Sequence, residues 1–467
     1  MIYVRTCAYN AEKTLRRAMD SILNQTYGEL TYYVLDNGSS DKTGDIIREY
    51  ALNDKRVVPF FSKTNRKFDE NADFWLLTRK LQENDLFCIL DADDSYDLTF
   101  LQEMIPFLKE NHLDIAACGT RFMNAEDGEV CGENKLEINR VLSSPSSFNQ
   151  YFTEIHWNLR QVWGKIYTAR AAKARYEIEL PEWFPKAYGG DTVNMYECVK
   201  AGNAIGVYAK TLHSYYMSPK SVSHKWIEGR EDADEVLFDK AIELLQLKCR
   251  FVSEQNLRFL YAVHYNAMKD TFQVLFDSTQ NADQKLKICR QIMEKPLTQK
   301  TLQAAPDIYN RTFLQELVQG MIMTAKSAGQ EGIDDCAKVF ASITEKYAQL
   351  VPKRILRFLI DEMPQGLQYL VMAQYQEALA EVQSYLDLKR LQKEQKELPE
   401  LLNLGLNLSA IEENEESYVK FIKRIIFWKW ENQEKEEAWK ELQEWMEILP
   451  EDEELRRLQK LFMESGI

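Results

Sequence analysis

Residues 87–94 read Phe-Cys-Ile-Leu-Asp-Ala-Asp-Asp, four apolar residues that stop abruptly at a crowd of carboxylates. So short an apolar run reads as a buried strand whose end delivers acid side chains to the edge of a sheet. Asp91 and Asp93 stand two positions apart, so in extended chain their side chains point the same way. No Lys or Arg lies between them, and they repel each other unless a cation sits there. Oxygen-only donors suit a hard divalent ion, Mn²⁺ or Mg²⁺. A solvated acidic turn fits a bare Asp-x-Asp as well.

Upstream, strands and helices alternate. Ile2-Tyr3-Val4 is predicted as a strand, Asn10 as the cap of a helix from Ala11 through Leu23, and Leu30 to Leu35 as a second strand. Asp36-Asn37-Gly38-Ser39-Ser40-Asp41 is a turn and cap before a helix carrying Ile46 and Ile47, and a third strand runs from Arg56 to Phe61. Strands joined by helices make a largely parallel sheet, with ligands beyond the carboxyl ends of its strands. Asp36 and Asp91 both fall there, on one rim. After residue 114 the pattern turns irregular: a strand at Ile115 to Cys118, a hairpin turn at Asp127-Gly128, and aromatic loops over 148–163 and 183–188. From residue 229 helical periodicities dominate. The expectation is an α/β domain over 1–228, its mostly parallel sheet flanked by helices. An all-helical domain over 229–467 would serve an acceptor, a partner or a homodimer.

A chain of 467 residues fits more than one domain, and its net charge of -15 argues against nucleic acid as a partner. The 8 cysteines form no Cys-x-x-Cys pair, and a first strand starting at Met1 or Ile2 leaves no room for a targeting segment. A cytoplasmic protein with reduced thiols is expected. No apolar run reaches the roughly 18 to 20 residues that span a bilayer. Residues 420–430 carry Lys420, Lys423, Arg424 and Lys429 amid apolar bulk. They read as a bundle helix or as a peripheral contact at the inner face of an anionic membrane; acidic flanks favour the bundle.

Three ordered motifs then carry a resemblance. Ala8-Tyr9-Asn10-Ala11-Glu12-Lys13-Thr14-Leu15 precedes Val34-Leu35-Asp36-Asn37-Gly38-Ser39-Ser40-Asp41-Lys42-Thr43, and Leu90-Asp91-Ala92-Asp93-Asp94 follows. Together they resemble the family 2 glycosyltransferases, which have the GT-A fold. The resemblance covers roughly residues 1–225. Arg5-Thr6-Cys7 departs from it, standing where the family usually has an apolar residue, a Pro and a small residue. Residues 67–72 follow its usual Gly-to-Arg-Asn loop only loosely.

The resemblance implies that Asp36 binds the nucleotide base, with an Asx-turn as its structural alternative. Ala8, Tyr9 and Asn10 would form the other wall. It divides the acid motif into Asp93 as metal ligand and Asp91 on the ribose or the ion's water shell, with Asp91 an alternative ligand. Gly189-Gly190-Asp191 stands where the family has Glu-Asp, so Asp191 would be the general base and Gly190 would border the acceptor; a helix N-cap is the plain alternative for Asp191. Val162-Trp163-Gly164-Lys165 matches a segment near the acceptor, with Trp163 facing a sugar and Lys165 anchoring a loop or phosphate. The closing Tyr-rich stretch would bring Ser221, Ser223 and His224 over the diphosphate; His224 is also a candidate for an additional metal ligand, with a structural histidine the favoured alternative.

The function expected is metal-dependent transfer of a sugar from a nucleotide-sugar donor to a hydroxyl of a glycan or lipid-linked glycan; the resemblance implies inversion. A nucleotidyltransferase that makes nucleotide sugars is an alternative, but the absence of glycine from Ala8 to Thr14 counts against it. A noncatalytic glycan-binding or scaffold protein is the other.

Overall fold

The computed structural model describes residues 1–65, 72–174, 180–217, 225–392 and 399–465. Ser221, Ser223 and His224, and the 67–71 stretch, lie outside them. The chain divides into two compact units, Met1–Thr271 and Phe272–Ile467.

In the first unit the elements run β1 (Ile2–Ala8), α1 (Leu15–Leu23), β2 (Leu30–Asp36), α2 (Thr43–Asn53), β3 (Val57–Phe61), α3 (Ala72–Trp75), α4 (Leu77–Lys80), β4 (Leu86–Ile89), β5 (Ser95–Tyr96) and α5 (Phe100–Glu110). Then come β6 (Ile115–Asn124), β7 (Val130–Asn134), β8 (Arg140–Leu142), α6 (Pro145–Ile155), β9 (Lys165–Thr168), α7 (Ala169–Lys173), α8 (Lys186–Ala201), β10 (Ile205–Met217), α9 (Arg230–Cys249) and α10 (Glu254–Asp277). The sheet order is β3-β2-β1-β4-β9-β6-β10-β5, with β7 beside β6 and β8 beside β10. β3, β2, β1 and β4 are mutually parallel, and β9 runs antiparallel to both its neighbours. This is the expected GT-A-like fold.

The period of two along each strand decides which helices cover which face. In β4, Leu86 and Cys88 join a core with Val4, Val34 and helix residues such as Met19, Ile47 and Met104. The intervening Phe87 and Ile89 join a second core with Phe152, Met195, Val199, Leu244, Leu245 and Leu260. α9 and the first part of α10 therefore belong to the sheet. The change to helix comes at Arg230, close to the expected position, but the first unit continues to Thr271 and not to 228.

Three local expectations are corrected. Asn10 is no helix cap: its φ is +50° and α1 begins at Leu15. The 148–163 stretch holds α6, capped by Ser144 with Pro145 in the first turn, and Phe148, Phe152 and Ile155 bury one face. α8 starts at Lys186, so Asp191, the alternative N-cap, lies inside the helix.

The second unit contributes helices from Ala282–Glu294 to Glu453–Glu464. In the helix Glu415–Glu431, Phe421, Arg424, Ile426 and Trp430 are buried, and Trp430 stacks on Phe462 at 3.7 Å between centroids. Arg424 and Lys420 pair with Asp387, and Lys423 with Asp452. The basic 420–430 segment is thus a packed bundle helix. No helix among the described residues is long and apolar enough to cross a membrane.

Candidate active site

β1 and β2 end level with each other, Ala8 opposite Asp36. Asp36 is buried, and its Oδ1 accepts the Ser39 N–H at 2.9 Å, so the Asx-turn exists. Gly38 holds φ at +80°, and a Cβ there would meet the Thr64 carbonyl carbon at 2.4 Å. Only glycine fits that close approach. Asn10 docks on the same turn: its Oδ1 accepts the Ser40 N–H, and its own N–H donates to Ser39 Oγ, both at 2.9 Å. Between buried Ala8 and exposed Asn10, the Tyr9 side chain is 49% exposed.

Beyond β4, three neighbouring acids have three environments: Asp93 is exposed, Asp91 intermediate and Asp94 fully buried. Asp94 Oδ1 accepts the Tyr216 N–H at 3.0 Å, and Oδ2 lies 3.3 Å from His213 Nε2. Burial, and next Lys165, push the His213 imidazole down to about 3, so the ring is neutral. Asp94 thus ties the acid loop to β10. Burial raises the Asp91 carboxyl well above its ordinary value, and Asp94, Asp191 and Asp93 raise it further, opposed by Arg5. The Arg5 guanidinium lies over Phe74, Trp75 and Phe87 at 5.4–5.5 Å, which explains an arginine where the family has an apolar residue. Arg17 donates to the Asp93 carbonyl at 2.5 Å and sits 3.4 Å over the Tyr216 ring.

This donor set fits a hard divalent ion: the carboxylates repel one another, and a cation between Asp91 and Asp93 would relieve them. Among the described residues no three His, Cys, Asp or Glu side chains converge as a ready ligand group. An ion held here would complete its shell from water and phosphate oxygens, as Mg²⁺ commonly does.

Asp191 enters from α8 on the second face of the sheet. It lies in the second turn of that helix and is exposed, so it is not an N-cap. Its charge reaches Asp91 and Lys165. Gly190 is buried within the helix, its carbonyl accepting from Asn194 Nδ2 at 2.7 Å. α8 is pinned from behind: Tyr188 donates to Asp234 Oδ1 at 2.7 Å, Thr271 donates to Asp234 Oδ2 at 3.1 Å, and Arg230 stacks on Tyr188 at 4.2 Å.

Trp163 and Lys165, expected near the acceptor, are both buried. Trp163 stacks on His213 at 4.4 Å and on Tyr215 at 5.6 Å. The Lys165 ammonium donates to the Trp163 carbonyl at 2.9 Å, anchoring its own loop, and burial lowers it to about 7. Gly164 N–H donates to the Tyr96 hydroxyl, which donates to the Ile89 carbonyl at the end of β4. Arg17, His213, Tyr216 and Asp234 were not singled out as site residues by sequence reasoning. Only Arg5, as a departure from the family pattern, left a signal.

The fold agrees with the comparison by sequence. Residues 3–173 match the family described as glycosyl transferase family 2. Glycosyltransferase GlyA of Streptococcus pneumoniae is 25% identical over 228 residues, 47% of this chain and 31% of that protein. An uncharacterized glycosyltransferase of Haemophilus influenzae is 31% identical over 122 residues, 26% of this chain and 48% of its own. The chain therefore spans less than half the length of these relatives. Among solved structures, S. aureus TarS 1-349 in complex with UDP-GlcNAc superposes with a TM-score of 0.47 and 17% identity, covering 74% of this chain and 91% of that one.

Proposed function

We propose that this protein transfers a sugar from a nucleotide-sugar donor to a hydroxyl of a glycan or lipid-linked glycan, using a divalent cation and inverting the anomeric centre. One juxtaposition carries the reading: Asp91 and exposed Asp93 close the central strand, while Asp191 comes from a helix on the second face within electrostatic reach of Asp91. Donor phosphates and a hydroxyl nucleophile need these two functions in one place.

The β1–β2 edge holds the nucleoside. Tyr9 offers an exposed ring to base or sugar, and Asp36 accepts from an N–H or a ribose hydroxyl. Asp93, with Asp91, holds the ion, which when bound supplies Lewis-acid stabilisation of the diphosphate leaving group. Asp191 takes the acceptor's hydroxyl proton as the acceptor oxygen bonds to the anomeric carbon. The bond from that carbon to the diphosphate breaks, and the nucleoside diphosphate leaves with the electron pair. A single displacement inverts the centre. Arg5 and Arg17 flank the acids and steady the loop before donor binds. None of the 8 cysteines is paired in a disulfide, which suits the cytoplasm, where we place the reaction.

The test is release of nucleoside diphosphate by the full chain from a panel of UDP-, GDP- and dTDP-sugars with Mn²⁺. At least one donor should turn over, and a chelator should stop it. If no donor is bound or consumed, the chain is a scaffold that kept the fold.

A further inference from the structure

The helical unit carries a groove of about 1230 Å³, walled in part by Phe358, Tyr385, Phe427, Trp428 and Leu458. We propose that it is a carbohydrate-binding site for an uncharged oligosaccharide, separate from the acid rim and independent of the chemistry proposed there.

Size comes first. Small-molecule sites usually enclose roughly 300–1,000 Å³. This groove is larger, which suits an extended chain of units more than a single nucleotide or sugar.

The wall chemistry narrows the class. Tyr385, Phe427 and Trp428 are partly exposed, and Phe358 meets Tyr385 edge to face at 5.5 Å. Sugar rings present flat C–H faces that pack on such rings, while Tyr and Trp keep a polar edge for hydroxyls. The basic and acidic side chains lining the groove are equal in number. Several are already engaged: Lys420 and Arg424 with Asp387 at 3.0 and 2.7 Å, and Lys423 with Asp452 at 2.6 Å. A balanced wall exerts no net pull on a polyanion or a polycation. Cation–carboxylate pairs do set donors beside acceptors, which matches hydroxyls that both donate and accept. A docked amphipathic helix needs an uninterrupted apolar stripe; here ion pairs break the aromatic surface. An uncharged, polyhydroxylated chain answers all three features.

The test is calorimetry of the full chain with maltohexaose, cellohexaose and chitohexaose. At least one should bind saturably. Trp428→Ala should weaken that binding about tenfold or more, and Tyr385→Ala, on another helix, should do the same. Trp428→Phe should retain most of it. Asp93→Asn should leave it unchanged, and Trp428→Ala should leave nucleotide binding unchanged, so this inference and the transferase reading fail separately. Binding by none of the three sugars would overturn the proposal. So would oligosaccharide binding that survives both aromatic substitutions or disappears in Asp93→Asn.

Discussion

Tyr188 donates a 2.7 Å hydrogen bond to Asp234 and thereby joins the helix that carries Asp191 to the helix that follows it. Asp234 is buried, and burial raises its carboxyl above the ordinary value while the Tyr188 and Thr271 hydroxyls oppose that shift. Tyr188→Phe leaves one carboxylate oxygen without this donor, at a cost of about 1–3 kcal/mol. Because Asp191 lies one helical turn further along α8, turnover should fall while donor affinity holds. Urea unfolding and a comparison of kcat with donor KM would check this; equal loss in both kinetic constants would contradict it.

Asp191→Asn should lower turnover by about 10²- to 10⁴-fold with donor affinity nearly unchanged, the signature of a group used only as the acceptor attacks. Asp191 is exposed in the second turn of α8 and Asn keeps its size, so the variant should stay folded at small cost in stability. Turnover within about threefold of wild type would remove it from the role of base.

Asp93 and Asp94 are adjacent yet do opposite work. Asp94→Ala strips the Tyr216 N–H of its acceptor and should destabilise by about 1–3 kcal/mol. Asp93→Asn, at an exposed position, should leave stability unchanged. Denaturant midpoints of the two variants decide it, and equal losses would contradict the division.

Lys165 gives a pH dependence with a definite sign. Its folded-state value of about 7 lies below the ordinary 10.5. Between those values the unfolded chain holds a proton that the folded chain has released, so stability rises as pH increases across that window. Lys165→Met should abolish that share of the rise. Unfolding free energies of both proteins at pH 7 and pH 9 measure it; identical slopes would contradict a buried, neutral amine.

The first sheet was legible because β1, β2 and β4 are short apolar runs that end in polar residues, so Asp36 and Asp91 fell on the rim without further information. Asp191 was legible as an acid near a helix start, but its place in the second turn of α8 was not. That depended on where α8 begins, and its N-cap Pro185 makes no side-chain cap hydrogen bond. α6 hid among aromatic residues although Ser144, Pro145 and Ser147 spell out a helix start. The buried contacts were opaque for a different reason. Asp94 meets His213 across more than a hundred residues, and Trp163 stacks on the same ring. The burial of Trp163 and Lys165 was therefore not legible from their local sequence. The unit boundary moved from 228 to Thr271 because α9 has an ordinary helical pattern that does not say which core it covers.

The most direct test of the acid rim is calorimetric titration of the full chain with UDP and with GDP, each with Mn²⁺ and with a chelator, repeated in Asp93→Asn. At least one nucleotide should bind with Mn²⁺ and lose most of its affinity both in chelator and in the variant. Binding of equal strength with and without the metal, or unchanged metal-dependent binding by Asp93→Asn, would contradict the account.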